Sequence, residues 1–97
     1  MTLKTTLFDP AAYLKTARSR SVYMTEALKT GDPAHIADAV GVIARAKGMT
    51  KVAKQAGLSR ESLYRALSPQ GNPEFATMLK VLGALDMQLK MSPGTSK

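Results

Sequence analysis

The stretch Met49 to Leu67, Met-Thr-Lys-Val-Ala-Lys-Gln-Ala-Gly-Leu-Ser-Arg-Glu-Ser-Leu-Tyr-Arg-Ala-Leu, leaves few ways to fold. It holds two helices too short to be stable alone, so each must be held by packing. Thr50 is a good N-cap for a helix from Lys51 to Ala56, and Gly57 ends it. Ser59 caps the next helix, from Arg60 to about Leu67. Helices crossing at a steep angle need a small residue where they touch, and Ala53 supplies it. The tight turn needs positive φ, which Gly57 tolerates. Val52, Ala56, Leu58, Leu63 and Ala66 or Leu67 then point inward. This is the spacing of a helix-turn-helix. With those residues buried, Ser59, Arg60, Glu61, Tyr64 and Arg65 occupy the free side of the second helix.

The charge falls on the same stretch. The chain has 97 residues and a net charge of +7. Its middle third carries Arg45, Lys47, Lys51, Lys54, Arg60 and Arg65, and between 45 and 65 only Glu61 opposes them. A charge run is most often just a solvated face. It becomes a nucleic-acid signal when it lies on an element that can enter a groove. A helix presenting donors, acceptors and a stacking group along one side meets that condition, with its N-terminal end toward the base edges of the major groove. Arg60, Glu61, Tyr64, Arg65 and the capping Ser59 are the expected recognition residues. Thr50, Lys51 and Lys54 on the preceding helix, with Gln70 and Asn72 in the loop beyond, are the expected phosphate contacts. The bland alternative is a helical hairpin that only packs.

The rest of the chain reads as mainly α. Leu3-Lys4-Thr5-Thr6-Leu7-Phe8 alternates weakly, as either a short strand or an extended arm. Asp9-Pro10, Asp32-Pro33 and Asn72-Pro73 each look like a cap followed by Pro in the first turn. They predict helices from Pro10 to about Ala17, from Pro33 to Lys47 and from Pro73 onward. Between the first two, residues 18–21 (Arg-Ser-Arg-Ser) break the apolar pattern, and a helix over 21–30 follows. Ile36, Val40, Ile43 and Ala44 give the second helix one apolar face; Phe75, Met78, Leu79, Leu82 and Leu85 give the last helix another. Met87, Leu89 and Met91 alternate with Gln88 and Lys90, the period of a half-buried strand. A strand this short must pair, either with residues 3–7 of its own or another chain, or with its own copy across a dimer axis. The expected architecture is a bundle of five to six short helices with short terminal strands. Its parts are an N-terminal arm and helices over 1–30, a helix-turn-helix domain with a C-terminal strand over 31–91, and a polar tail over 92–97.

Other chemistries find no support in the sequence. No Cys is present, which removes disulfides and thiolate sites. His35 is the only histidine and has no second ligand nearby, so no metal or cofactor is expected. No paired carboxylates or nucleophile–base spacing points to an enzyme, and Ser59 is explained by capping. No apolar run approaches the ~20 residues of a membrane span, and charges interrupt residues 1–20. A soluble cytoplasmic protein is expected.

From Thr25 to Met91 the sequence resembles the Xre-type, lambda-repressor-like helix-turn-helix antidotes of bacterial addiction modules, the HigA-like group. The matching runs are Gly31-Asp-Pro, Ile43-Ala-Arg-Ala-Lys-Gly-Met, Ala56-Gly-Leu-Ser-Arg-Glu-Ser-Leu-Tyr-Arg-Ala-Leu-Ser-Pro and Gly71-Asn-Pro-Glu-Phe-Ala-Thr-Met-Leu-Lys-Val-Leu. Phe8-Asp-Pro-Ala-Ala-Tyr-Leu also fits the family's opening. The resemblance implies a homodimeric DNA-binding antitoxin that represses its own operon at a palindromic operator. It also implies a RelE/HigB-like ribonuclease toxin as partner, and a recognition helix from Ser59 to Leu67. The alternatives are an Xre-like regulator without a toxin partner and a toxin-binding module whose DNA binding is incidental. The chain departs from the family in carrying Lys15, Arg18 and Arg20 where its relatives tend to be acidic.

Overall fold

A computed structural model of the chain describes residues 14–68 and 70–94, which form five helices and no strand. The expected N-terminal strand, and the first part of the helix expected from Pro10, lie outside the described residues. Leu14 to Thr16 form a turn, not the end of a helix.

The first helix, α1, spans Ala17–Lys29. The Arg-Ser-Arg-Ser stretch therefore does not interrupt it but lies at its start. The reason is a capping box. Thr16 Oγ1 accepts the Ser19 N–H at 3.0 Å, and Ser19 Oγ accepts the Thr16 N–H at 3.3 Å. The first turn is mostly exposed, so it carries no apolar signature. Helix α2, Pro33–Lys47, starts as its sequence predicts: Asp32 Oδ1 accepts the Ala34 N–H and Pro33 opens the first turn. Its buried residues are all small or β-branched (Ala37, Ala39, Val40, Gly41, Ile43, Ala44), so neighbours approach it closely.

One residue, Gly48, separates α2 from α3, Met49–Ala56. Its φ of 114° is a glycine conformation, and it serves both as the end of one helix and the start of the next. Thr50 is therefore not a cap; it lies inside the first turn of α3, which has no side-chain cap at all. Gly57, at φ 74°, closes α3 as expected. Leu58 N–H reaches back to the Ala53 carbonyl at 2.8 Å and Gly57 N–H to that of Lys54 at 3.2 Å, the paired bonds of a Schellman ending. Ser59 then caps α4, Arg60–Ala66, its Oγ accepting the Ser62 N–H at 2.9 Å.

The last helix, α5, spans Phe75–Ala84 and starts later than the Asn72-Pro73 pair suggests. A Cβ on Gly71 would collide with the carbonyl oxygens of Arg65 and Ala66, so the chain leaves α4 in close backbone contact. Asn72 sits at φ 45°, a turn conformation that Asn tolerates, and Glu74 takes the N-cap position. Helix α5 turns most of its expected face inward, with Leu82 and Leu85 buried and Met78 packed against the core, but not its N-terminal part. Val81, Leu82, Ala84 and Leu85 are buried, whereas Phe75 is 69% and Leu79 45% exposed.

The core is aliphatic: Leu14, Val40, Ile43, Val52, Leu63 and Val81 are its most deeply buried large side chains. Helix α3 is at the centre, packed on α2, α4 and α5, while α1 packs on α2. No described polar or charged residue is buried. Residues 87–94 form no ladder with any described residue, so the expected C-terminal strand is not formed within the described chain. Met87 alone of the expected alternating set packs against the core.

Candidate nucleic-acid interface

Helices α3 and α4 form a small angular unit with one dry side and one wet side. Val52, Ala53 and Leu63 are almost wholly buried, and Leu58 is half-buried beside Gly57. On the other side, Thr50, Lys51 and Lys54 of α3 are exposed, as are Ser59, Arg60, Glu61, Tyr64 and Arg65 of α4. Gln70 and Asn72 are exposed in the loop that follows. Ser59 spends its hydroxyl locally: it accepts the Ser62 N–H and donates to Ser62 Oγ at 2.9 Å.

Arg60 and Tyr64 form a unit one helical turn apart. The guanidinium Nη2 donates to Tyr64 Oη at 3.1 Å, and its central carbon lies 5.4 Å from the ring centre. A cation held against an aromatic face gives α4 a flat, partly ordered surface with donors at its edge. Among the described residues, ion pairs form at Lys29–Glu26 and Lys47–Asp86 only, both at 3.4 Å, and neither uses a side chain of α3 or α4. Lys51, Lys54, Arg60 and Arg65 are exposed, and Glu61 is the one acidic residue within α3 and α4.

Two basic residues of the middle third belong elsewhere. Lys47 donates to the Ala84 carbonyl at the end of α5 and reaches Asp86 beside it. It neutralises a helix C-terminus, a role no local pattern shows, because Ala84 lies 37 residues away. Arg45 folds back along α2 over Gly41. Its charge also acts on Tyr23, whose phenol is pushed above the usual value, first by burial and then by the nearby Asp38 carboxylate, with Arg45 opposing both. Arg20, at the N-terminal end, donates to the Leu14 carbonyl at 3.1 Å and fixes the chain entering α1. Lys15 and Arg18 remain exposed.

A family model described as "Probable addiction module antidote protein" matches residues 4–93, and the chain belongs to that family. It is 44% identical over 84 residues to an uncharacterized protein of Haemophilus influenzae, covering 87% of each chain. No solved structure matches the chain. Among the described residues no helix is long and apolar enough to cross a membrane. None of their His, Asp and Glu side chains cluster as metal ligands would.

Proposed function

We propose that this protein is the antitoxin of a type II toxin–antitoxin module, of the HigA-like, Xre-type helix-turn-helix kind, and represses its own operon. It works in the cytoplasm and carries no catalysis of its own. The supporting observation is the sidedness of α3 and α4. Val52, Ala53 and Leu63 lock the pair to the core while Arg60, Tyr64 and Arg65 of α4 and Lys51 and Lys54 of α3 are exposed. A helix so held can lie in the major groove as a rigid reader. Arg65 and the Arg60–Tyr64 pair approach base edges or phosphates, with Ser59 and Glu61 at the helix start. Thr50, Lys51 and Lys54 sit on the sugar–phosphate backbone, where α3's first amides, left without a side-chain cap, also point at a phosphate. Gln70 and Asn72 reach the neighbouring phosphate.

One α4 reads only a short half-site, so the operator-bound form is a homodimer with recognition helices ~34 Å apart on a palindrome. The antidote family supports a toxin partner, taken here as a RelE/HigB-like ribonuclease. The test has two arms. Titration of the promoter DNA against a scrambled duplex of equal length should show a preference of about 10³-fold or more. Equal affinity for the two would remove the repressor role. Co-expression with the adjoining small reading frame should yield a complex in which the toxin's ribonuclease activity is suppressed. A toxin that stays active when mixed with this protein would remove the antitoxin role.

A further inference from the structure

Helix α4 exposes two arginines, and only one of them is held. Arg60 Nη2 donates to Tyr64 Oη at 3.1 Å, and the guanidinium carbon lies 5.4 Å from the ring centre, within cation–π range. Helical side chains lean toward the N-terminus, so Tyr64 reaches back over the preceding turn to meet Arg60. The turn beneath the pair is itself fixed. Leu63 is wholly buried, and its N–H donates to the Ser59 carbonyl at 2.9 Å. Arg65 lies about 100° further around the helix from Tyr64. Its side chain makes no hydrogen bond or ion pair with a described residue, and Glu61 forms no ion pair with either arginine.

We propose that Arg60 reads a guanine in the major groove, and that Tyr64 is the positioning residue that presents its guanidinium to that base. This rests on the repressor reading and deepens it by naming the base and the residue pair that select it. Direction is what separates the two kinds of acceptor. Phosphate oxygens can be met from many angles and carry no sequence information, so a fixed side chain gains little there. Guanine offers O6 and N7 as a fixed pair of acceptors on one edge, and a planar guanidinium meets both at once. Adenine sets an amino group beside N7, which would oppose donor to donor. Arg60 has donors to spare. A guanidinium carries five N–H groups; Tyr64 takes one, and a bidentate contact uses two. A side chain ordered beforehand also loses less freedom on binding. Its place in the helix agrees, because Arg60 opens α4 and recognition helices direct their first residues to base edges.

The test uses the full chain and its promoter duplex, with each base pair of the half-site replaced in turn, symmetrically in both halves. Changing one particular G·C pair to A·T should weaken wild-type binding by about tenfold or more. Arg60→Ala should abolish the preference at that pair and keep the others, while Arg65→Ala should keep it. Tyr64→Phe retains the ring and removes the hydroxyl. It should lower the preference at the same pair by about threefold or more, with the salt slope unchanged. Adding Tyr64→Phe to Arg60→Ala should cost no further preference there. Arg60 and Tyr64 are exposed, so helical circular dichroism should not change. In the free protein, nitrogen-15 relaxation should show the Arg60 Nε–H more ordered than that of Arg65, a difference that Tyr64→Phe erases. The assignment is overturned by an Arg60→Ala loss that is equal on every duplex, which would make Arg60 a phosphate contact, or by a lost preference at an A·T pair. It is equally overturned by a Tyr64→Phe variant that keeps the whole preference, or by an Arg60 Nε–H as mobile as that of Arg65. In each of those cases a wild type that still prefers its promoter leaves the repressor reading standing. A wild type that binds promoter and scrambled DNA alike removes both.

Discussion

The two ends of this small molecule use the same kind of charge for opposite purposes. At the α1–α5 end, Arg20 and Lys47 turn inward along the surface and bind main-chain carbonyls, of Leu14 and Ala84. On α3 and α4, Lys51, Lys54 and Arg65 make no such contact with described residues, and Arg60 is tied only to an exposed tyrosine. Charge already bound to the backbone contributes to the fold and is poorly placed to release counterions from a phosphate. Charge left free beside a rigid helix contributes little to the fold and is available for a partner. Net charge alone does not distinguish the two. The distinction comes from whether each side chain meets a main-chain carbonyl.

The largest expected effect strikes the scaffold shared by both regions. Leu63→Ala opens a cavity beneath α4 and should cost about 2–5 kcal/mol of stability, read by urea denaturation. Promoter affinity should fall with it, because α4 loses its seat; intact affinity in a destabilised variant would mean that α4 is not the reader. Next, Arg65→Ala should weaken promoter binding by about 1–3 kcal/mol if the residue reads a base, with no loss of stability. An equal loss on scrambled DNA would reassign Arg65 to a phosphate. Lys47→Ala should show the reverse profile, costing about 1 kcal/mol of stability through the exposed α5 terminus and sparing DNA preference. The smallest effect is a pH dependence at Tyr23. Its phenol is held above the ordinary value near 10 in the folded chain, so folding favours the protonated form. That contribution is complete below the unfolded value and is lost as pH rises through the folded one. Tyr23→Phe should therefore flatten the fall in stability on the alkaline side of pH 10; an unchanged slope would show that the group is not coupled to folding.

Much of this arrangement is legible in the sequence wherever the determinants are local. Asp32-Pro33, Gly57 and Ser59 each act within a few residues, and each ends or starts its helix as expected. The inward set Val52, Ala53 and Leu63 follows from the short distance between those stops. The misreadings share a cause. Thr50 and Asn72 are good caps by residue type, but Gly48 and Gly71 had already set the chain's path through backbone conformation and close contact. The Thr16–Ser19 capping box lacks the usual sequence signature, because serine replaces the usual glutamate at the third helical position. Lys47 and the outward turn of Phe75 depend on contacts between distant segments, which no window of sequence contains. The same limit applies to Met87, Leu89 and Met91, whose alternation is real although no partner strand lies among the described residues.

The contrast between free and engaged charge is tested most directly by the salt dependence of promoter binding in Lys51→Ala and Lys47→Ala, measured side by side with the wild type. Each phosphate contact contributes about 0.9 to the slope of log K against log salt. Lys51→Ala should reduce the magnitude of that slope by about one, while Lys47→Ala should leave it at the wild-type value. Two variants with the same slope as the wild type, or a loss confined to Lys47→Ala, would contradict the placement of the DNA-binding face on α3 and α4.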